Sequence, residues 1–419
     1  MLPAHTVGLC VDEIGEIAVL WLRWLRPLAT LVVLLGVSAG VEPLMAQGTE
    51  NLATLNRQAV QLYHAGKYEE AATIARQSLT LAEQQHGPDH PAVGRSLSNL
   101  ANLLRALGRT TEAEPLMKRS LSVREKALGP DHPDVGQSLN NLAGIYEHQG
   151  RAAEAEPLYK RGLTITEKAL GPDHPEVATA LNNLALLYQT RGRYAEAEPL
   201  HKRSLAIREK ALGPEHPDVG VSLNNLAELY RVQGRYAEAE PLYKRALAIA
   251  ESQGPDHRQV GIYLNNLAEL YRAQRRFAEA EPLYKRAVAI ATKASGAEQG
   301  DIGVYLNTLA SLYRDQGLYS EAEPLYKRAI ATIDDSRDRE HPLMALALSG
   351  LASLHAKQGN FDAAEVLYKR AVAILENSLD RDHPRMAGVL QGLSAVYSGQ
   401  GEHVAAEVML RRALDIRVN

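Results

Sequence analysis

Cysteine is all but absent from this chain of 419 residues; its one copy is Cys10. Disulfides, thiolate zinc sites and a cysteine nucleophile are therefore excluded from everything that follows residue 10. Both tryptophans, Trp21 and Trp24, also fall in the first fifty residues. A basic excess is missing too. The formal net charge is −4, so the electrostatic drive toward nucleic acid is lacking. No phosphate-cradling glycine loop, serine nucleophile elbow or HExxH zinc motif occurs. Long β-branched runs are scarce, whereas Ala, Leu, Glu, Arg and Lys abound, residues that lose little side-chain freedom in a helix.

What the chain does have is repetition. The stretch from Leu139 to His174 reads LNNLAGIYEHQGRAAEAEPLYKRGLTITEKALGPDH, and most of it returns from Leu181, Leu223 and Leu264. A spacing near 42 residues signals a solenoid, in which each unit touches only its neighbours. With the Leu-x-x-Leu-Ala phrase as a ruler, units are anchored at Leu97, Leu139, Leu181, Leu223, Leu264, Leu306, Leu348 and Leu390. A fainter first unit around Ala59, Leu62, Gly66 and Tyr68 brings the total to nine.

Each unit predicts two helices. Leu139, Leu142, Ala143 and Tyr146 fall at i, i+3, i+4 and i+7, one stripe of an amphipathic helix, and Gly150 ends it. A second helix begins near Ala153 and buries Ala155, Leu158, Tyr159, Gly162, Leu163 and Thr166. Ala155 and Gly162 are small enough for close helix approach. Pro157, repeated at 115, 199, 241, 282 and 324, is expected in the first turn of that helix, where its missing N–H costs little.

Gly171-Pro172-Asp173-His174-Pro175 links one unit to the next, with Asp173 or His174 as the helix cap and Pro175 at the first helical position. The linker histidines His90, His132, His174, His216, His257, His341 and His383 invite a metal reading. Helices pack about 8–10 Å apart, too far for equivalent histidines to share an ion, so capping is expected instead. Glu154 and Glu156, at i and i+2 in the first turn, point different ways and favour the helix dipole, unlike a catalytic pair. Lys160-Arg161 and its copies read as a solvated face offset by nearby glutamates.

The first fifty residues differ. Arg23 and Arg26 precede an apolar run from Leu28 to Ala39, and Leu44-Met45-Ala46 follows. Residues 1–46 are expected to be a secretory signal peptide cut after Ala46, or else an N-terminal membrane anchor. The acids Asp12, Glu13 and Glu16 fit a signal poorly and suggest a true start near Val19. Residues 47–51 form a short linker and 52–419 the solenoid.

The Ala, Gly, Tyr, Ala pattern within a helical hairpin resembles the tetratricopeptide repeat. The period, the LNNLA phrase, EAEPLYKRAL and LGPDHP resemble the kinesin-light-chain type of that repeat over roughly residues 51–419. The resemblance implies an all-α, right-handed superhelical solenoid of about nine antiparallel helix pairs, with the first helix of each pair lining a concave groove that binds extended peptides. On each first helix, residues one, five and eight beyond the anchor leucine share a flank roughly 105° from it. Mid-helix asparagine runs against propensity and needs a reason. The resemblance carries Asn140, Asn182, Asn224, Asn265 and Asn307 over as peptide contacts, with Glu228, Arg231, Glu269, Arg272 and Arg314 beside them. Asn can bond a peptide backbone and Arg a carboxylate. The other reading is that one Asn of each pair bonds across helices to hold the stack, a role better suited to the second.

The sequence thus points to a non-catalytic protein-binding scaffold with no cofactor, no metal and no nucleic-acid partner, exported to the periplasm or beyond. It meets a membrane only if the N-terminal segment stays uncleaved. A second reading is a structural solenoid of the cell envelope that assembles end to end through the apolar last helix, Val404 to Val418.

Overall fold

The structure, a computed structural model, describes residues 51–293, 300–336, 342–378 and 384–418. The N-terminal segment and the linker histidines His341 and His383 lie outside those residues. Eighteen helices and no strand occur among the described residues.

They alternate as A and B helices of nine hairpins. The pairs are α1 (Leu52–His64) with α2 (Tyr68–His86), α3 (Pro91–Ala106) with α4 (Thr110–Leu128), and α5 (Pro133–His148) with α6 (Ala152–Leu170). Next come α7 (Pro175–Thr190) with α8 (Tyr194–Leu212), α9 (Pro217–Val232) with α10 (Tyr236–Ser252), and α11 (Arg258–Ala273) with α12 (Phe277–Lys293). The last are α13 (Gly300–Asp315) with α14 (Tyr319–Ser336), α15 (Pro342–Lys357) with α16 (Phe361–Ser378), and α17 (Pro384–Gln400) with α18 (His403–Val418). Each helix packs on its hairpin partner and on the next in sequence, as a solenoid requires.

Within the third unit, Leu139, Leu142, Ala143 and Tyr146 of α5 are buried against Ala155 and Tyr159 of α6. Each large apolar side chain so buried stabilises the fold by about 1.5–3 kcal/mol relative to exposure. Gly162 lets the two helices meet: a Cβ there would stand 3.0 Å from the Gly136 carbonyl oxygen. The hairpin turn is fixed by Gly150 at φ 82°, a left-handed conformation that glycine adopts without strain. Every other unit repeats a glycine there except the sixth, where Arg275 takes φ 59°.

The linker histidines cap. Nδ1 of His90, His132, His174, His216 and His257 accepts the backbone N–H two residues on, at 3.1–3.2 Å, and so satisfies one orphan donor of each following A helix. The linker aspartates do something else. Asp131, Asp173 and Asp256 accept from Lys168, Lys210 and Lys293 of the following unit, at 2.7, 2.5 and 3.1 Å.

One expectation is corrected. Pro157 is not in the first turn, because α6 already begins at Ala152. The turn at Gly150 sets the helix start, and Arg151 receives the first helical N–H bonds from Glu154 and Ala155. The proline therefore removes one bond, to the carbonyl of Ala153, inside the helix. Both residues lie on the exposed face, so that carbonyl is open to solvent.

Candidate partner-binding face

The outer side of the stack is held by a recurring ionic joint. Glu156 of α6 accepts from Arg193 at the start of the next B helix (2.6 Å), from the Tyr188 hydroxyl of α7 (3.2 Å) and from Lys160 of its own helix (2.7 Å). The Arg193 guanidinium also lies 4.1 Å from the Tyr188 ring centre, a cation–π stack. Glu198 and Glu240 repeat the arrangement with Arg235, Tyr230 and Lys202, and with Arg276, Tyr271 and Lys244. Partial burial pushes the Glu156 carboxyl up, but the bonds from Arg193 and Lys160 outweigh it and hold the group at about 2. Bonds from the corresponding arginine and lysine set Glu198 and Glu240 at about 2 as well. The basic row is drawn into this network. Its arginines Arg161, Arg203, Arg245 and Arg286 bridge to glutamates of the preceding B helix at 2.6–2.7 Å, while its lysines stay more than half exposed.

The inner, A-helix side carries the residues of interest. The second Asn of each unit donates its amide to the first Asn of the unit before. Asn183 bonds the Asn140 Oδ1 at 3.2 Å, Asn225 that of Asn182 at 2.8 Å, and Asn266 that of Asn224 at 2.9 Å. Thr308 donates to Asn265 at 2.7 Å in the same way, and Asn141 to Ser98 at 3.3 Å. A ladder of side-chain bonds thus runs from the second unit to the seventh. It stops at Asn307, whose Oδ1 is buried without a partner opposite Gly350.

Behind the ladder lies a second network. Arg231 grips Glu228 through Nε and Nη2 (2.8 and 2.7 Å), and the Tyr243 hydroxyl of α10 donates to the same carboxylate at 2.6 Å. In the sixth unit Arg272 holds Glu269 at 2.8 Å and reaches Asp315 of the next unit at 2.5 Å, and the Tyr284 hydroxyl donates to Glu269. Arg314 shares Asp315 at 2.9 Å. Burial alone would lower the basicity of Arg231, but Glu228 outweighs it and keeps the guanidinium firmly charged. Burial and the same carboxylate raise the Tyr243 phenol well above its ordinary value, so it stays a donor.

These placements correct the expectation that the flank stands open to a peptide. Asn182, Asn224, Glu228, Arg231, Asn265, Glu269, Arg272 and Asn307 are between 0 and 7 % exposed, and all but Asn307 bond a neighbouring side chain through at least one polar atom. A direction roughly 105° from the core stripe points along the stack, at the next unit's A helix, and not out of it. Both asparagines of a pair hold the stack, the first as acceptor and the second as donor. Of the expected contacts only Asn140 and Arg314 remain half-buried. The side chains that do reach inner-side solvent come two residues before the anchor leucine: Arg95 exposed, then Gln137, Thr179 and Val221 half-buried.

The tetratricopeptide repeat pattern matches residues 50–126, 176–252, 218–293, 259–335, 301–377 and 343–417. The chain belongs to the tetratricopeptide repeat family. The nephrocystin-3 tetratricopeptide domain also matches residues 102–211 of the array. No curated protein matches the chain. Among solved structures, a protein from Podosopora anserina described as a kinesin light chain with nearly identical tetratricopeptide-like repeats is 30 % identical over 49 % of this chain and 97 % of its own length, with a TM-score of 0.42. BtubC (BKLC) from P. vanneervenii is 26 % identical over 57 % and 91 %, at TM-score 0.44. A Rap protein complexed with competence and sporulation factor shares the fold over 87 % of this chain and 97 % of itself, at 15 % identity and TM-score 0.59. The helix pairs and the family match agree on a tetratricopeptide repeat solenoid.

Sequence reasoning missed the ionic joint and the tyrosines behind the ladder. Tyr159, Tyr243 and Tyr284 were legible only as core. Their hydroxyls were the signal, because a buried phenol needs a partner, and Glu147, Glu228 and Glu269 supply one.

Proposed function

We propose that this array is a non-catalytic scaffold that binds a flexible segment of another protein along its inner side. The carrying observation is the asparagine ladder, which fixes the A helices of six successive units in register and so presents one continuous, preorganised face. Contact is made through the residues in front of the ladder, Arg95, Gln137, Thr179 and Val221, together with its half-buried rung Asn140–Asn183. A photo-reactive residue at Gln137 or Thr179 is expected to capture a partner in the source cells that one at outer Lys160 does not. Equal capture from both sides removes the inner-face reading. Residues 1–46 export the chain in this reading, and N-terminal sequencing of the mature protein beginning at Gln47 tests it.

A second reading has one observation behind it. Leu410 and Leu414 of α18 are 42 and 49 % exposed, at positions where inner units carry the buried Tyr243 and half-buried Leu247. Self-assembly through this face predicts a concentration-dependent mass in light scattering, and a strict monomer removes it.

A further inference from the structure

The first and last described helices finish the array differently. On an A helix, two directions mark the side that meets the B helix of the unit before. The residue one before the anchor leucine takes a bond from that B helix, as Ser138 does from Arg124, and the tyrosine seven beyond it bonds back, as Tyr188 does to Glu156. The residues three and six beyond the anchor point into that arc or within about 20° of it. They are apolar and buried in later units, as Leu100 and Leu103, Leu226 and Leu229, and Leu393 and Val396 show. In α1 the same two places hold Gln58 and Gln61, both exposed, with Thr54 and Arg57 exposed beside them. That face is polar, as suits a terminal repeat in water.

The face of α18 is of the other kind. Leu410 and Leu414 are exposed there. Glu407 stands at the place of Glu240, which takes Arg276 and Tyr271 of the following unit at 2.8 and 3.1 Å. Glu407 is met at 2.5 Å by Arg411 of its own helix and, among the described residues, by no arginine of another unit; both side chains are more than half exposed. This is the array's own joint, apolar in the centre and charged at the flank, with one side open. The face of α1 does not match it, because head-to-tail stacking would bury the amides of Gln58 and Gln61 against leucine, at a cost. A second α18 does match. Measured around the helix from Val404, Leu410 lies at about 240°, Leu414 at about 280°, Glu407 at about 300° and Arg411 at about 340°. Two such helices set antiparallel about Leu410 bring leucine to leucine. Glu407 of one copy and Arg411 of the other then share a flank, about 3 Å apart along the axis, so each copy gives the other the arginine its joint lacks.

We propose that two copies of this chain pair tail to tail through antiparallel α18 helices, as a closed two-fold dimer. A two-fold contact uses the same patch on both copies and leaves no further copy of it open, so the assembly stops at two. The proposal rests on the self-assembly reading above and narrows it from an open stack to a pair.

Light scattering of the full chain over a wide range of concentrations is expected to level off at about twice the mass of one chain. In a Cys10→Ser chain, Leu410→Cys should give a disulfide-linked dimer under mild oxidation and Gln58→Cys should give none. Glu407→Arg and Arg411→Glu should each weaken the dimer about tenfold. The two together in one chain should restore it, with helical circular dichroism unchanged throughout. A strict monomer overturns the dimer and the self-assembly reading together. A mass that keeps growing with concentration overturns the dimer alone, as does a dimer indifferent to Leu414→Asp.

Discussion

Units two to six and units seven to nine keep the same helical hairpin, yet they are joined by different means. In the middle units an arginine after the hairpin glycine ties each joint, as Arg151 does to Glu114 and Arg193 to Glu156. The same position holds Leu318, Asn360 and Glu402 in the last three. Glu281 keeps its tyrosine and lysine but has no arginine, and Glu365 is met by Gln400 instead. The inner ladder changes too. Where the middle units place a second asparagine, units eight and nine place Gly350 and Gly392, and a tyrosine fills the space: a Cβ at either glycine would stand 2.4 Å from the ring of Tyr326 or Tyr368. A polar rung and a ring-in-socket fit satisfy the same spacing. The period is therefore set by helix lengths and the apolar stripe, and the polar joints are one of two ways to lock it.

The sharpest test compares the two locks at one position. Glu228→Ala strands the Arg231 guanidinium in the interior, and losing one member of a buried ion pair costs about 3–5 kcal/mol. Its counterpart in the seventh unit, Ser311→Ala, removes a bond to the Tyr326 hydroxyl (2.9 Å) and should cost about 1 kcal/mol. Urea denaturation followed by circular dichroism measures both. Equal losses would mean that the buried network of the middle units contributes nothing particular.

Next in size is the socket. Gly350→Ala forces a methyl group into the Tyr326 ring and towards the Asn307 Oδ1, 2.8 Å away, and overpacking of this kind costs about 1–3 kcal/mol. A glycine elsewhere on a middle A helix gives the contrast: the Cβ of Gly144→Ala meets only Arg105 at 3.3 Å and the Tyr159 hydroxyl at 3.5 Å, and should be tolerated. Thermal melting separates them.

The helix pairs and their caps were legible in the sequence because both are local. A stripe at helical spacing, a glycine at the turn and a histidine before Pro175 act within a few residues. The joints were not, because their partners sit about one unit apart and nothing in a single copy shows which neighbour a side chain meets. Asn224 illustrates this. Its direction on the helix was readable, but the amide of Asn266 that occupies that direction belongs to the next unit. Arg151 is another case, since its partner Glu114 belongs to the unit before.

The outer joint gives the third comparison. Arg151→Leu, which makes the third unit resemble the seventh, loses the bond to Glu114 (2.8 Å) and the stack on Tyr146 (4.1 Å). An ion pair partly open to water and one cation–π contact together contribute about 1–2 kcal/mol. Native-state hydrogen exchange should then show the α5–α6 hairpin opening more readily, while the α13–α14 hairpin is unaffected.

The same joints predict an acid window. Glu156, Glu198 and Glu240 sit at about 2 against an ordinary 4.5. A carboxylate lowered on folding stabilises the fold above its unfolded value, and that stabilisation drains as pH falls through the folded value. The middle units should weaken between about pH 4.5 and 2, and salt should narrow the effect. In the C-terminal units Glu323 and Glu365 are lowered by lysine, and in Glu365 by Gln400, without an arginine. Hydrogen exchange across that range is expected to rise first in α5 to α11, and a uniform rise along the array would count against the ionic joint.

The smallest effect returns to the one hairpin turn without glycine. Arg275 holds φ 59° where the other units place glycine at 69–83°, and a left-handed conformation costs an L-residue about 1–2 kcal/mol. Arg275→Gly relieves that strain. Glycine loses more chain freedom on folding, about 0.5–1 kcal/mol, and the Arg275 contact 6.0 Å over the Phe277 ring is lost as well. The net gain should be about 0.5 kcal/mol, visible as a slight rise in the melting temperature of the sixth unit. Gly234→Arg in the fifth unit imposes the strain, with Tyr236 in the place of Phe277, and should lower it. If neither change moves the melt, the turn conformation is not what distinguishes the sixth hairpin, and the arginine is tolerated there because neighbouring units over-determine the turn.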